Sequence, residues 1–498
     1  MVISSTHYLV LTLLIPLLGA SAIPVFRNQP NIRESVSLIT SGGLLLVCIL
    51  MYLNFDAVSP ARLSLFEILP NLSFSFSLDP LGLIFILMSS FLWLLTTLYA
   101  IGYMRHHKEN NQTRFYFFFA ITMTTVMGIA LADNLFTLYI FYELLTLSTF
   151  PLVVHAGTTK AKLGARTYLA VLLFSSILFF LPAIIQTWLV TGNLSFTQGG
   201  VFDKTTASST LLTLLLPLFI LGIGKGAIFP LHRWLPAAMV APTPVSALLH
   251  AVAVVKGGVF TILKVCVYVF GLDLLQELPS TQILLYLSAI TVLIASLVAL
   301  RQDNLKKRLA YSTVSQLGYV TIGALLANKA GIIGGAMHMA IHGFGKITLF
   351  FCAGAILIMT GKTKVSELSG IGWQMPVTMT AFLIASLSII GLPPTAGSWS
   401  KWFLLVSTVE AEQWLLMSVL GLSSLLNIFY LLPIGVRAFF SRQAGNPEPK
   451  RNLEAPISVL AAISLCTLMC LTLFLFPEPL YALASNIVVS QSSLTMNN

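Results

Sequence analysis

Leu221-Gly222-Ile223-Gly224-Lys225-Gly226-Ala227-Ile228-Phe229-Pro230 is an apolar run that three glycines and a proline interrupt around one lysine. A second stretch has the same character: Gly391-Leu392-Pro393-Pro394-Thr395-Ala396-Gly397-Ser398-Trp399-Ser400-Lys401. Both lie within segments apolar enough to cross a bilayer. Glycine and proline there leave backbone groups unbonded, which is tolerated only where they face protein or a water-filled cavity. A lysine in hydrocarbon is costly and marks a functional position by default. Two broken membrane helices, each with a buried cation, set the frame for the rest of the chain.

The 498 residues are 57% hydrophobic and 9% charged, with a mean hydropathy of +0.90. Soluble domains carry about 25% charged residues, and a spanning helix needs roughly 20 apolar ones. Fourteen such stretches are readable, at about 7–26, 34–53, 81–102, 113–131, 135–155, 163–190, 210–230, 242–271, 282–300, 306–327, 331–360, 376–407, 413–440 and 455–476. The expected fold is therefore all-α, a polytopic membrane protein of about 14 transmembrane helices. The longest connections, 54–80 and 191–209, leave no room for a large soluble domain. Ala20-Ser21-Ala22 resembles a signal cleavage site, but residues 1–8 hold no Lys or Arg, so the first stretch is read as a retained helix. The five cysteines, all in apolar stretches, lack metal-ligand or disulfide-framework spacing.

The net charge of +10 could suggest nucleic acid, yet the placement of the basic residues excludes it. Of 27 Lys and Arg, nineteen fall in loops that follow odd-numbered helices, and three (Arg62, Lys204, Lys329) in even loops. The remaining five lie within the apolar stretches: Lys225, Lys256, Lys264, Lys346 and Lys401. Such a bias follows the positive-inside rule. It places odd loops in the cytoplasm and both termini outside, in a bacterial plasma (inner) membrane. The breaks fall in helices 7 and 12, five helices apart and so of opposite direction. Paired interrupted helices point to an inverted repeat. The expected organisation is flanking helices 1–3 (1–110), a first five-helix repeat (111–272), a second (280–442), and helix 14 with a tail (453–498).

The chemistry concentrates in few residues. Glu143, in Phe141-Tyr142-Glu143-Leu144-Leu145, is the sole acid at mid-membrane depth, and a lysine is its expected partner. Burial disfavours a charge and a neighbouring opposite charge favours it. Moving Glu143 toward or away from Lys225 would thus load or unload a proton. Lys256 is central in helix 8, with Gly257 and Gly258 leaving room beside it and His250 six residues earlier. Lys264, near the outer end of that helix, is expected to snorkel to the interface as readily as to transport. In helix 11, His338, His342 and Lys346 recur every four residues and share one face, as a relay would. A histidine pair could instead bind metal or haem, but a membrane haem draws axial histidines from two facing helices and no matching pair exists. Lys401 parallels Lys225 in the other half. Dinucleotide fingerprints, phosphate loops, cysteine clusters and nucleophile elbows are absent, so neither cofactor nor metal is expected and the chain must run on an ion gradient or on partner subunits. Two other classes fit poorly. A scaffold binding lipid headgroups would keep its lysines at the interfaces, and a lipid-directed enzyme would need a second carboxylate.

Together these motifs resemble the proton-translocating membrane subunit family shared by respiratory complex I, membrane-bound hydrogenases and Mrp-type multisubunit Na⁺/H⁺ antiporters. The likeness spans roughly residues 80–440. It includes Glu143, Lys225, the segment Pro230-Leu231-His232-Arg233-Trp234-Leu235-Pro236, and Ala241-Pro242-Thr243-Pro244-Val245-Ser246-Ala247-Leu248-Leu249-His250 leading to Lys256. It ends with helix 11 and Ser400-Lys401-Trp402. The resemblance implies that Glu143 and Lys225 form a pair whose separation drives proton transfer, and that Lys256, His250, His338, His342 and Lys346 pass protons laterally to Lys401. The complex I subunit of similar length usually has glutamate where this chain has Lys401. The D subunit of Mrp-type antiporters has lysine there, and its Ala-Pro-Thr-Pro-x-Ser-Ala-Leu-Leu-His stretch is most similar. Gly343-Phe344-Gly345-Lys346 departs from the commoner His-Ala-x-x-Lys pattern. The implied partners are other membrane subunits, the lipid bilayer, protons and Na⁺. The competing expectation is a proton-pumping subunit of a redox-driven complex.

Overall fold

The computed structural model describes residues 5–56, 61–202, 207–248, 252–441 and 453–492. Among these residues the chain is overwhelmingly helical, and ten helices are long and apolar enough to cross a membrane. In chain order the spanning elements begin with α1 (Ser5–Ala22), α2 (Pro30–Leu53), α3 (Pro80–His106), α4 (Gln112–Leu131), α5 (Leu135–Val153) and α6 (Thr159–Thr191). There follow α7 (Ser209–Gly222), α8 (Val254–Val265), α9 (Pro279–Arg301), α10 (Leu305–Leu325) and α11 (Lys329–Thr360). Helix α12 comes in two halves, Pro376–Ile390 and Gly397–Glu410, before α13 (Trp414–Phe440) and α14 (Ile457–Leu475). These follow the order of the fourteen stretches read from the sequence, the eighth being much shorter than read.

Short polar residues set many of the helix starts. Asp79, Asn134, Thr158, Ser208, Asn304 and Asn328 each accept a hydrogen bond from a backbone N–H of the first turn. Such caps satisfy donors that helix geometry leaves unbonded. Both anticipated breaks are present: α7 ends at Gly222 and gives way to a tight turn over Gly224–Gly226, and α12 parts between Ile390 and Gly397.

Four features differ from the sequence reading. The connection 54–80 holds an antiparallel hairpin, β1 (Arg62–Leu69) and β2 (Leu72–Ser77), with Leu69 opposite Leu72 and Arg62 opposite Ser77. Its signal is the strict alternation Leu72-Ser73-Phe74-Ser75-Phe76-Ser77, which an average over a spanning-length window conceals. The stretch expected as one helix over 242–271 is instead a short helix Thr243–Ala247, then α8, then a π turn over Cys266–Phe270. A second π turn, Ser176–Phe180, lies within α6. After α14 comes a further helix, α15 (Glu478–Ser492), which packs on α3 and α11.

Loop-to-loop bonds follow the alternation of charge. On the even side, Phe76 bridges Ala132, Asn134 bridges Ser195, and Thr197 donates to the carbonyl of Tyr268. On the odd side, Asn304 bridges Lys364, and Leu453 donates to Gln374. Helix α11 is the centre of the molecule. It is buried from Ala330 to Ile356 and packs on α3, α8, α10, both halves of α12, and α14. A helix apolar all round belongs inside. Its neighbour α10 is too polar to count among the ten, since Ser312, Thr313, Ser315, Gln316 and Tyr319 are all buried on it.

Candidate functional site

Five intramembrane lysines appear in the sequence, and the structure buries every one: Lys225, Lys256, Lys264 and Lys346 have no exposed surface and Lys401 has 6%. Each Nζ finds polar partners, as a buried ammonium must.

Lys225 sits in the α7 break. Gly258 of α8 brings the backbones together there, since a Cβ at that position would lie 2.4 Å from the carbonyl carbon of Lys225. The Lys225 Nζ donates to the carbonyl of Tyr142 at 2.8 Å and lies 3.2 Å from the centre of the Tyr142 ring. Its backbone N–H donates to the Tyr142 hydroxyl at 3.2 Å. The expected partner, Glu143, is the next residue of α5, yet its Oε1 is buried with no hydrogen-bond partner among the described residues. The acid and the lysine are thus neighbours in an unpaired state. The carbonyl and π face of Tyr142 solvate the ammonium in place of the carboxylate.

Lys256 reaches across to α11, its Nζ 2.6 Å from His342 Nδ1. A single hydrogen bond joins an amine and an imidazole, either of which can hold the proton. The His342 and His338 rings stack with centroids 5.6 Å apart, and His338 stacks on Tyr319 at 5.7 Å. His338 Nδ1 is 3.0 Å from Ser400 Oγ, one residue before Lys401. Lys401 Nζ donates to the Ile390 carbonyl at 2.9 Å and to Ser424 Oγ at 3.0 Å, and lies 4.8 Å from the centre of the Tyr319 ring. The Ile390 carbonyl is available because α12 breaks there. Gly391 turns the chain with φ +90°, and a Cβ on it would strike Lys401 Cδ at 2.6 Å.

Lys346 departs from this line. It donates to Ser312 Oγ at 2.6 Å and more weakly to the Leu309 carbonyl at 3.4 Å. Ser312 Oγ is also 2.9 Å from the Tyr430 hydroxyl, which donates its one proton to the Asn427 amide oxygen. A polar branch thus leads from mid-membrane toward the basic start of α10. His250 lies outside the described residues.

Lys264, expected to snorkel as readily as to transport, is fully buried at the level of the even-side loops. It pairs with Asp79 at 2.8 Å and donates to the Ala132 carbonyl at 2.8 Å. The reason is that Asp79, tied to the start of α3 as its cap, offers a fixed carboxylate under the even-side loops.

Sequence reasoning passed over Tyr142, Ser312, Tyr319, Ser424 and Tyr430, which carry half of these contacts. Hydroxyls are cheap to bury and abundant, so nothing in their residue type marked them. Only the neighbourhood of a lysine does.

The profile of the family described as NADH:quinone oxidoreductase/Mrp antiporter, TM, matches residues 132–427, and that of NADH-Ubiquinone oxidoreductase (complex I), chain 5 N-terminus, matches 69–116. The chain is 33% identical over 382 residues to NADH-quinone oxidoreductase subunit N of Desulforudis audaxviator, covering 76% of this chain and 75% of that one. It is 31% identical over 453 residues to Na(+)/H(+) antiporter subunit A1 of Staphylococcus aureus, covering 86% of this chain but 55% of the relative. Two solved structures share the fold. A chain of the Mrp complex from Dietzia gives a TM-score of 0.85 at 21% identity, with 98% of each chain covered. A chain of the membrane-bound sulfane sulfur reductase, an archaeal respiratory membrane complex, gives 0.84 at 22%, with 96% and 97% covered.

Proposed function

This chain belongs to the NADH:quinone oxidoreductase/Mrp antiporter transmembrane family, and we propose that within it the chain is the proton-translocating, D-type subunit of a multisubunit Na⁺/H⁺ antiporter. The observation that carries the reading is the run of buried titratable side chains across the middle of the protein, closed at its centre by the 2.6 Å contact of Lys256 with His342. Apolar protein around such a run has no structural use for it that leucine would not serve at lower cost.

The contacts support the following scheme. A proton is held at Lys225 or Lys256, passes His342 and His338, and leaves by Lys401. His250 is the proposed entry group. Glu143 sets the proton affinity of Lys225 by its distance, the unpaired arrangement at Tyr142 being the released state. Lys346 and the Ser312–Tyr430 branch are a lateral store facing the odd side. The two breaks, Lys225 in one and Lys401 in the other, support two inverted repeats (111–272 and 280–442) with one half-site each. The alternation of basic loops supports a bacterial inner membrane with both termini outside. Further membrane subunits are the proposed partners, because the chain carries ion-moving groups and no energy source.

A second reading, the pump arm of a redox-driven complex, draws on the 33% identity to a quinone oxidoreductase subunit. Native purification of the tagged chain separates the two. Small hydrophobic partners without flavin or iron, together with Na⁺-driven proton flux in vesicles, support the antiporter. Flavin or iron–sulfur subunits would replace it by the redox complex. Either reading requires Glu143→Ala and Lys225→Ala to abolish proton movement while the complex still assembles, and full activity in either variant would sink both.

A further inference from the structure

At one step of the proposed path two rings meet without a hydrogen bond between them. His342 and His338 meet ring on ring, 5.6 Å between centroids and 16° between planes, so they present π faces rather than N–H and N to each other. A proton does not cross such a stack unaided.

Helix α10 lies alongside α11 at this point, and the two are antiparallel. Two contacts set their register: Ser312 with Lys346, and Tyr319 with His338. Gln316 is four residues from Ser312 and three from Tyr319, hence on the same face. His342 lies four residues from both His338 and Lys346. The register therefore puts Gln316 opposite His342, at the level of the gap.

Gln316 is fully buried, and neither its amide oxygen nor its amide nitrogen has a hydrogen-bond partner among the described residues. His338 Nε2 is likewise buried and unpartnered, its Nδ1 being taken by Ser400. Buried polar atoms are nearly always bonded, to protein or to internal water. Two unpartnered groups on facing helices, one offering both a donor and an acceptor, form a site of the kind that holds water in protein interiors.

We propose that Gln316 is a positioning residue that binds internal water facing His338 Nε2, and that this water bridges the step between His342 and His338. The water takes a proton on its oxygen from the His342 side and releases another to His338 Nε2, so none is consumed. The inference rests on the proton-translocation reading. It adds a residue on α10 that neither the charge pattern nor the histidine spacing marks.

The test uses the whole complex with its native partners, reconstituted in vesicles that carry an internal pH dye. Gln316→Leu removes both polar atoms and leaves an apolar side chain one bond shorter. Gln316→Glu keeps the reach and can still hold water. The expected result is a loss of proton flux of about a hundredfold in Gln316→Leu, the scale of a missing proton-transfer group, with most of the flux retained in Gln316→Glu. Lys225→Ala serves as the reference for translocation itself. If Lys225→Ala is inactive and Gln316→Leu is fully active, the water bridge falls and the translocation reading stands. If both are fully active, both readings fall. Equal loss in the leucine and glutamate variants marks a packing residue and overturns the bridge. Should Gln316→Leu fail to assemble, a density map of the native complex decides. Ordered water between the Gln316 amide and His338 Nε2 supports the inference, and direct apolar contact there overturns it.

Discussion

Gly258 and Gly257 are adjacent in α8, yet the structure predicts opposite fates for alanine at the two positions. At Gly258 a Cβ would sit 2.4 Å from the Lys225 carbonyl carbon, 2.5 Å from Gly226 N and 2.7 Å from the Lys225 carbonyl oxygen, all backbone. Non-bonded carbon atoms rest about 3.5 Å or more apart. The α7 break must therefore retreat by about 1 Å. Overpacking of this kind costs about 1–3 kcal/mol, and here the displaced group is the one that holds Lys225 against Tyr142. A 1 Å misplacement of a reacting group can cost about a hundredfold in rate. At Gly257 the nearest atoms are the Leu145 and Ile129 methyl groups, at 3.2 and 3.6 Å. Such side-chain ends give way easily, and alanine in a helix interior gains roughly 0.5–1 kcal/mol over glycine. Gly258→Ala should thus lower the thermal stability of the detergent-solubilised complex and reduce proton flux in vesicles by one to two orders of magnitude. Gly257→Ala should match the native protein in flux and equal or slightly exceed it in thermal stability. Native flux in Gly258→Ala, or a worse defect in Gly257→Ala, would refute the idea that close backbone contact between α8 and the break positions Lys225.

Three further outcomes follow from other contacts. Asp79→Asn leaves Lys264 as a buried cation without its carboxylate and should destabilise the protein by about 3 kcal/mol, whereas Asp79→Asn combined with Lys264→Met should recover most of that in the same melting experiment. Lys256→Met removes the contact with His342 and should cut proton flux by about a hundredfold or more with subunit assembly unchanged on a native gel; unaltered flux would remove Lys256 from the path. At the odd-side surface, the backbone N–H and hydroxyl of Ser366 hold the Asp303 carboxyl below its ordinary value of 3.8. A lowered carboxyl stabilises the folded form above its unfolded value, and that contribution is lost as pH falls through the folded one. The link between the loops around Asp303 and Ser366 should therefore persist at neutral pH and loosen only in acid below about pH 4, seen as faster hydrogen exchange there. Loosening already near pH 6 would contradict the assignment.

Much of the architecture could be read directly because the bilayer allows few solutions. Backbone groups in hydrocarbon must bond within their own segment, so a long apolar run is a helix, and the capping Asp79, Asn134, Asn304 and Asn328 stand where such runs begin. The hairpin Arg62–Ser77 escaped because it lies where that constraint is absent. Its pattern is local, and averages of the length needed to find helices erase it. The π turns at Ser176–Phe180 and Cys266–Phe270 are likewise invisible, since one extra residue in a turn leaves composition unchanged.

Among the chemical groups, cost is what made the sequence informative. Lys225, Lys256, Lys346, Lys401 and Glu143 stand out because a charge in an apolar run is expensive wherever it points, and His338 and His342 because their spacing repeats the helix. By itself, then, the sequence determined that the chain is a many-helix membrane protein, where it breaks, and which ionisable groups lie inside. Only the tertiary structure decided how they connect: that Lys225 turns to the carbonyl of Tyr142 rather than to Glu143, that Lys256 finds His342, that Lys346 leaves the line for Ser312, and that Lys264 is held by Asp79. Depth in the membrane follows from position along one helix and needs one segment alone. A hydrogen bond between helices 86 residues apart, as between Lys256 and His342, depends on how two segments rotate and cross, and that is set by the packing of every helix around them.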